Sequence, residues 1–381
     1  MDRKLGAAGV AFLFVLATLA ACGGGGGDDS AAALPTNTSA ATQSPDTVAG
    51  FAYVANQGSD NVSAYSIDAS TGALSEVAGS PFAAGIGPES ISVHPSGKFA
   101  YVANFGSGNV SAYTIDASNG ALSEIAGSPF AAGTLPVCVT VEPSGRFAYV
   151  ANNVSGNVSA YTINATTGAL TSIGAAVAAG FRPTSITVDP SGKFAYVANF
   201  IGDFSGNVSA YTIDAGTGAL SEVAGSPFAT GLDPHNVTVD TAGKFVYVSN
   251  TQSGNVSAYT INASTGALSE VAGSPFAGGG HLFVEPSGKF AYQASAPNTV
   301  SAYSINGATG ALASIGAFAA GASPYSVTVD PSGKFAYVAN RGGNNVSAYA
   351  IEPVSGALTS VGAAVAAGTR PNSVTTTRKI Q

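Results

Sequence analysis

The chain has 381 residues, of which only 9% are charged, whereas an ordinary soluble domain carries about 25%. Its 13 basic and 21 acidic residues give a net charge of -8, which argues against nucleic acid as a partner because a phosphate backbone requires a basic patch. The 49 glycines, together with few lysines and glutamates, exclude coiled coils and long solvated helices, and the many Val, Tyr, Phe, Thr and Ser residues predict an all-β fold.

The N-terminus has the pattern of an export signal. Arg3 and Lys4 precede an apolar stretch, and small residues stand directly before Cys22. The sequence Leu-Ala-Ala-Cys that ends at Cys22 resembles the bacterial lipobox, whose cysteine is lipid-modified and becomes the first residue of the mature protein. We therefore predict a lipoprotein signal peptide over residues 1–21 and lipidation of Cys22. A plain signal peptide with an incidental cysteine and a retained membrane anchor are the alternatives.

The predicted lipid would hold the protein outside the cytoplasm, anchored to a membrane of the cell envelope on its periplasmic or surface side. Residues 22–48 are rich in Gly, Ser, Ala and Thr and lack periodicity, which predicts a flexible tether. The only other cysteine, Cys138, lies in an apolar strand pattern and is interpreted as a buried structural thiol.

Beyond the tether, one sequence unit repeats seven times at intervals of 45 to 51 residues. Its most regular element is Phe-Ala-Tyr-Val-Ala-Asn, whose tyrosine recurs as Tyr53, Tyr101, Tyr149, Tyr196, Tyr247, Tyr292 and Tyr337. We interpret the unit as four strands, A to D, which in the second copy cover residues 90–93, 99–104, 110–115 and 122–126. Periods of this length with several strands are typical of propeller blades.

The strand count predicts how the ring closes. The first strand B, at Phe51, has no strand A before it, whereas residues 370–376 match residues 182–188, which are a predicted strand A. The C-terminal strand therefore supplies the missing strand, and residues 49–381 are predicted to form a closed seven-bladed β-propeller with four-stranded antiparallel blades. Strands B and C carry apolar residues on both faces, as expected for blades covered on both sides. An open β-solenoid is the alternative.

The repeated Pro-Ser-Gly-Lys-Phe-Ala-Tyr-Val-Ala-Asn resembles the Tyr-Val-Thr-Asn type of bacterial propeller repeat. The full unit resembles the lactonase family of seven-bladed propellers, which includes 6-phosphogluconolactonase, and the resemblance covers all seven copies. It implies a carboxylic ester hydrolase that opens a sugar lactone or a related lactone. Because the sugar-phosphate lactone is cytoplasmic, an exported relative would meet another substrate. Family repeats often begin strand A with Pro-His, and only Pro234-His235 keeps that dipeptide here.

Charged residues that do not belong to the repeat mark one face of the predicted propeller, the face of the B–C and D–A loops. Six basic residues occupy the repeated A–B turn and four are terminal, which leaves Arg182, Arg341 and Arg370, all in those loops. The acidic residues left on the same face include Glu89 and Asp233. The loops of this face also differ most between the copies, which predicts that function resides there.

Ring order brings several of these residues together, because the fifth, sixth, seventh and first blades are consecutive. His235 and His281 begin strand A in the fifth and sixth blades, near the mouth of the central channel. A lactonase needs a base that activates water and donors aimed at the developing oxyanion, which His and Arg supply. The predicted catalytic residues are His235, His281 and Arg370. The predicted substrate-binding residues are Arg182, Arg341, Tyr325, Asp233 and Glu89.

Two function hypotheses follow from this pattern. The first is hydrolysis of a lactone, with His235 or His281 as the base. The alternative is a noncatalytic cell-envelope propeller that binds a glycan or a protein through its divergent loop face, which near-identical repeats favour because recent copies have had little room to specialise. The two histidines and Asp233 lack a further zinc ligand at diagnostic spacing, so neither a metal nor a cofactor is expected. The protein is expected to be a monomer.

Overall fold

The computed structural model describes residues 48–201 and 206–379, and every regular element within them is a β-strand. The predicted all-β fold is confirmed, and in this part of the chain no helix has the length and apolar character needed to cross a membrane. The strands are β1 (Val48–Asn56), β2 (Asn61–Asp68), β3 (Leu74–Glu76), β4 (Phe82–Ala83), β5 (Pro88–Val93), β6 (Phe99–Asn104), β7 (Asn109–Ile115), β8 (Leu122–Glu124), β9 (Phe130–Ala131), β10 (Pro136–Val141), β11 (Phe147–Asn152), β12 (Asn157–Ile163), β13 (Leu170–Ser172), β14 (Val177–Ala178), β15 (Pro183–Val188), β16 (Phe194–Phe200), β17 (Gly206–Ile213), β18 (Leu220–Glu222), β19 (Phe228–Thr230), β20 (Pro234–Val239), β21 (Phe245–Asn250), β22 (Asn255–Ile261), β23 (Leu268–Glu270), β24 (Phe276–Ala277), β25 (His281–Val284), β26 (Phe290–Ser295), β27 (Thr299–Ile305), β28 (Leu312–Ala319), β29 (Pro324–Val329), β30 (Phe335–Asn340), β31 (Asn345–Ile351), β32 (Leu358–Ser360), β33 (Val365–Ala366) and β34 (Pro371–Arg378).

The strands form seven antiparallel sheets, one for each repeat. Blade 1 contains β34 and β1–β4, blade 2 contains β5–β9, blade 3 β10–β14, blade 4 β15–β19, blade 5 β20–β24, blade 6 β25–β28 and blade 7 β29–β33. The innermost strands, strand A of each blade, contact one another in the closed order β34, β5, β10, β15, β20, β25 and β29. The predicted seven-bladed propeller is therefore confirmed, with the strands A around a central channel.

The outer strand of most blades is shorter than the sequence pattern predicts. In blade 2, strand D ends at Glu124 instead of residue 126, and β9 then pairs with the same strand C. Between the two pieces the chain turns, with Gly127 at a φ of 88°, and the Ser128 hydroxyl accepts a hydrogen bond from the Ala112 N–H at 3.0 Å. A side chain thus takes the place of one backbone acceptor at the sheet edge.

The ring closes as predicted through the C-terminal strand. Strand β34 pairs with β1 in an antiparallel register that runs from Gly50 opposite Arg378 to Asn56 opposite Pro371. The pairing satisfies the inner edge of β1, which no other strand covers.

Tyrosine hydroxyls tie each blade to the next. Every strand-B tyrosine is fully buried and donates a hydrogen bond of 2.8–3.0 Å to the carbonyl of a glycine in the C–D turn of the following blade. Tyr337 of blade 7 donates to Gly72 of blade 1, so the ties complete the ring. The turn glycine cannot be replaced, because a Cβ at Gly120 would lie 2.3 Å from the Phe51 ring and its φ is positive.

The strand-C tyrosines make a second set of ties in the opposite direction. Each donates a hydrogen bond of 2.5–3.0 Å to an alanine carbonyl in the outer strand of the preceding blade, as Tyr113 does to Ala83. Each blade interface therefore holds two hydroxyl bonds, a buried one from strand B and a partly buried one from strand C.

We expect the C-terminal strand to be essential for stability. Deletion of residues 372–381 removes β34 and its apolar contacts and leaves the edge of β1 unpaired. The deletion should lower the midpoint of thermal unfolding by about 10 °C or more. A control that ends at Lys379 keeps all of β34 and should unfold like the full chain. Equal midpoints for the deletion and the full chain would contradict this closure.

Candidate functional site

The residue that follows the strand-A proline points to the channel and differs in every blade. We call this the channel position. In ring order from blade 1 it is occupied by Asn372, Glu89, Val137, Thr184, His235, Gly280 and Tyr325, with blade 6 aligned by the pairing of β25 with β26. All but Gly280 line a cavity of about 230 Å³ at the loop-face end of the channel. One repeated backbone thus presents six different side chains to one space.

A hydrogen-bonded chain of three side chains crosses this cavity. The Tyr325 hydroxyl lies 3.0 Å from Nε2 of His235 and donates to Oε1 of Glu89 at 3.2 Å. The His235 and Tyr325 rings meet edge to face, with centroids 5.2 Å apart. Tyr325 in blade 7 therefore connects blade 5 with blade 2. The intervening channel position in blade 6 is Gly280, where a Cβ would lie 1.6 Å from the Ala294 carbonyl oxygen, so no side chain can stand between them.

Gln57 links this chain to an arginine. Its Nε2 donates to Oε2 of Glu89 at 2.7 Å, and its Oε1 accepts from Arg341 at 3.1 Å. The Arg341 guanidinium also stacks on the Tyr325 ring, 4.9 Å from its centroid. Asn372 donates to the same Glu89 oxygen at 2.9 Å. Gln57 and Asn372 were not among the predicted site residues, although a comparison of the first B–C loop residue and of the channel position between the repeats singles them out.

Burial shifts the pKa values of all three linked side chains in the cavity. Burial raises the pKa of the Glu89 carboxyl, against the opposing effects of the Asn372 hydrogen bond and the Arg341 charge. Burial also lowers the pKa of His235, and the Asp233 carboxylate partly offsets this. The pKa of the Tyr325 hydroxyl is raised by burial and by Glu89. His235 is consequently neutral at neutral pH and able to accept a proton.

His281 lies one residue deeper than His235. It pairs with Ala294, and the equivalent residue in blade 5 is Asn236, which pairs with Ser249. At this deeper level the side chains of Ser373, Ser90, Ser185, Asn236 and Ser326 each accept a backbone N–H from the next blade at 3.0–3.4 Å. His281 makes no such bond within the described chain, and its Nδ1 is buried without a partner. Burial, with the nearby His235, lowers the pKa of His281 to about 3.

Cys138 also lies at this deeper level. The thiol is half-buried at the cavity wall instead of fully buried, and it donates to the Ile186 carbonyl at 3.7 Å. Burial raises its pKa, which disfavours the thiolate and agrees with a structural role.

Three of the predicted site residues share one backbone position. Arg182, Asp233 and Arg370 each precede a strand-A proline in a left-handed conformation, with φ of 48°, 54° and 54°. Their carbonyls accept hydrogen bonds from the residue that follows the strand-B asparagine, as Arg370 does from Gln57 at 3.0 Å. This repeated backbone bond holds the strained conformation whatever the side chain is.

The structure groups most of the predicted site residues and separates one of them. His235, His281, Tyr325 and Glu89 line the cavity, and Arg341, Asp233 and Arg370 act on its charged groups. Arg182 does not line the cavity; its guanidinium lies 5.4 Å from the centroid of Phe200 and its Nε 3.5 Å from the Asn153 amide oxygen. Cys22 lies outside the described residues.

Two further observations concern groups away from this chain of side chains. His94 lies in an A–B turn, where its ring nitrogens contact the Ser96 hydroxyl at 2.7 Å and the Gly145 carbonyl at 2.8 Å, as a structural residue would. Among residues 48–201 and 206–379, no three His, Cys, Asp or Glu side chains are arranged to hold a metal ion.

Fold and site together define a closed seven-bladed propeller with a polar, titratable cavity at one end of its channel. The sequence matches the family described as "Lactonase, 7-bladed beta-propeller" over residues 40–229, 182–281 and 275–375. These matches extend over most of the chain, and the protein belongs to this family. No curated protein sequence matches it.

Solved structures from three bacteria share the fold. A candidate 6-phosphogluconolactonase from Bacteroides uniformis is 20% identical with a TM-score of 0.75, covering 86% of this chain and 99% of its own. One from Bacteroides fragilis is 19% identical with a TM-score of 0.76, covering 88% and 100%. The periplasmic gluconolactonase PpgL of Pseudomonas aeruginosa is 20% identical with a TM-score of 0.71, covering 86% and 98%. At these identities the likeness establishes the fold alone.

We expect acid to destabilise the protein through His281. The imidazole has a pKa near 6.5 in the unfolded chain and near 3 in the folded protein. Between these values the unfolded chain binds more protons, so the free energy of unfolding decreases as the pH is lowered. From pH 7.5 to 5.0 this effect amounts to about 2 kcal/mol. His281→Asn introduces the residue found at this level in blade 5 and should remove this part of the loss, while the part due to His235 remains. Chemical denaturation of both proteins at the two pH values measures it, and equal losses would contradict the assignment.

Proposed function

We propose that the protein hydrolyses a lactone outside the cytoplasm, at the cavity on its loop face. The observation that carries the proposal is the chain from Glu89 through Tyr325 to His235, which places a neutral base beside a proton relay at the channel mouth. Membership of the lactonase family supports the reaction class. The predicted export signal, and the periplasmic location named for the Pseudomonas aeruginosa protein, support the compartment. Lipidation of Cys22 is part of the same proposal.

The hydrogen-bond directions assign the base to one nitrogen of His235. Because the Tyr325 hydroxyl donates its hydrogen bond to Glu89, the Tyr325 oxygen accepts from Nε2–H of His235. This arrangement leaves Nδ1 as the acceptor of the ring. In the proposed reaction, Nδ1 takes a proton from water while the water oxygen bonds to the lactone carbonyl carbon. The ring C–O bond then breaks, and the leaving oxygen receives that proton to give a hydroxy acid.

The arginines supply the electrophilic side of the site. Arg341 is held by Gln57 and by the Tyr325 ring, and Arg370 acts on the Glu89 carboxylate from blade 1. Positive charge beside the cavity stabilises the oxyanion that forms on the carbonyl oxygen, or binds an anionic substituent of the substrate. Asp233 supports the imidazolium that forms in the reaction, because its charge raises the pKa of His235.

Substitution of His235 tests the base. His235→Gln keeps an amide donor for Tyr325 but removes the titratable ring, and should lower kcat about 100-fold or more on any lactone that the purified protein hydrolyses. His94→Gln, on the opposite face, should leave kcat unchanged. A panel of aldonolactones and other lactones followed by pH-stat titration measures both. Equal rates for His235→Gln and the wild type would overturn the role of His235.

A matched pair of arginines tests the charged side. Arg370 and Arg182 occupy the same backbone position in blades 1 and 4, but of the two only Arg370 acts on the Glu89 carboxyl, whereas Arg182 contacts Asn153 and Phe200. Arg370→Ala should lower kcat/KM about tenfold, and Arg182→Ala by less than twofold. An equal effect of the two substitutions would show that the cavity is not the site. No turnover of any lactone would favour the alternative, a noncatalytic propeller that binds a glycan or a protein.

A further inference from the structure

A β-bulge at the start of strand A leaves the channel-position residue outside the strand pairing. In blade 5 the register shifts between Pro234 and Asn236, so that His235 has no partner in strand B. Thr184 occupies the same place in blade 4. Because a bulge residue is not fixed by the hydrogen bonds of the ladder, the orientation of His235 depends on other contacts.

The Thr184 side chain bonds to the backbone that leads into His235. Its hydroxyl donates to the Pro234 carbonyl at 2.6 Å, across the interface between blades 4 and 5. The Ala198 carbonyl of its own blade lies farther away, at 3.1 Å. Since a hydroxyl has a single hydrogen, the nearer Pro234 carbonyl receives the stronger bond. This carbonyl belongs to the peptide bond between Pro234 and His235, so the contact opposes a rotation that would turn the imidazole away from Tyr325.

Asn153 makes an equivalent contact one blade earlier. Its Nδ2 donates to the Pro183 carbonyl at 3.0 Å, across the interface between blades 3 and 4. Pro183 directly precedes Thr184, and both Asn153 and Thr184 line the cavity. Asn153 follows the strand-B asparagine of blade 3, the position that Gln57 occupies in blade 1. Asn153 therefore fixes the backbone at Thr184 in the way that Thr184 fixes the backbone at His235.

These two contacts are confined to the blades that lead to the histidine. Among the strand-A prolines of the described chain, Pro183 and Pro234 alone have carbonyls that accept a side-chain hydrogen bond. In blades 1, 2 and 7 the channel-position side chains are held directly, by hydrogen bonds between side chains. His235 has one such bond, to Tyr325, and as a base it must keep its other ring nitrogen open. Support through its backbone meets that requirement.

We propose that Thr184 and Asn153 are positioning residues for His235, which they orient by anchoring in turn the strand-A proline carbonyls of blades 4 and 5. This inference rests on the proposed function, because it assigns the support of the base at the same site. Together with Tyr325 and Glu89, the two residues complete a path of hydrogen bonds and peptide bonds from blade 3 through blades 4, 5 and 7 to blade 2.

Substitution of Thr184 tests the proposal on the full chain. Thr184→Val keeps the shape of the side chain without its hydroxyl, and should lower kcat about tenfold on a lactone that the protein hydrolyses, with KM changed less than about twofold, because a misplaced base slows the chemical step. Thr184→Ser keeps the hydroxyl and should restore kcat to within about twofold. Thr212 lies in strand C of the same blade and donates to the Ser221 carbonyl at 3.2 Å. Thr212→Val is the matched control and should leave kcat unchanged.

NMR of the imidazoles reports on His235 without turnover. The chain has three histidines, and the variants His94→Gln, His235→Gln and His281→Asn assign their signals. In Thr184→Val the His235 signals should shift, and the pKa of His235, which burial lowers, should rise toward its ordinary value as the ring gains access to water. Thr184→Ser and Thr212→Val should keep the wild-type His235 signals. Lower thermal stability of Thr184→Val with unchanged His235 signals would show a purely structural role and overturn the proposal.

A double-mutant cycle tests the order of the contacts. Asn153→Ala should lower kcat about threefold in the wild type and have no further effect in Thr184→Val, because Asn153 acts on His235 through Thr184. The same dependence should appear in the His235 signals. Equal effects of Asn153→Ala in both backgrounds would overturn the assignment of Asn153.

The outcomes separate this inference from the proposed function. His235 signals that respond to Thr184→Val, without hydrolysis of any lactone, would support the positioning role and overturn the hydrolase. Hydrolysis with kcat and His235 signals unaffected by Thr184→Val would overturn the positioning role and leave the hydrolase intact.

Discussion

The structure depends on tyrosine hydroxyls that cross each blade interface. Strand-B tyrosines donate forward to a glycine carbonyl and strand-C tyrosines donate back to an alanine carbonyl, so each blade is held from both sides. Burial raises the pKa of these phenols, as it does for Tyr65 to about 12, so they remain protonated donors. Since each interface uses the same two bonds, blade sequences stay alike in the middle of the sheets and are free to differ at the loop face.

One tyrosine takes no part in these hydrogen bonds between blades. The chain has 15 tyrosines, and the ties between blades use two from each of seven blades. The remaining one is Tyr325, which bonds to His235 and Glu89 across the channel. The loop face also repeats a backbone hydrogen bond. In blades 1 to 5 and 7, the carbonyl before the strand-A proline accepts the N–H of the residue that follows the strand-B asparagine. Backbone geometry is therefore constant where the side chains vary.

The fold could be predicted because the repeat period, the order of the strands and the unpaired C-terminal strand A can all be recognised in the sequence. Four of the predicted site residues, His235, His281, Tyr325 and Glu89, line the cavity. Ring order selected the first three, which belong to adjacent blades, and the sorting of charged residues selected Glu89. The deeper level of His281 was not predictable from its position near a strand start, since two glycines replace the usual proline and its neighbour in blade 6. Sorting by charge could not find the uncharged Gln57. The same selection by charge included Arg182, whose side chain contacts Phe200 and Asn153 instead of Glu89, Tyr325 or His235.

The central claim is that Tyr325 functions in the cavity, whereas the other tyrosines hold the blades together. The most direct measurement is thermal or chemical unfolding together with lactone hydrolysis for Tyr325→Phe and Tyr337→Phe, each of which removes one hydroxyl. Tyr337→Phe leaves the buried Gly72 carbonyl unpaired and should cost about 1–3 kcal/mol of stability with hydrolysis retained. Tyr325→Phe should lose most of its hydrolysis and keep its stability within about 1 kcal/mol, because water can replace the hydroxyl in the cavity. If both variants lost stability equally and hydrolysed lactone equally, the distinction between Tyr325 and the tyrosines that join the blades would be wrong.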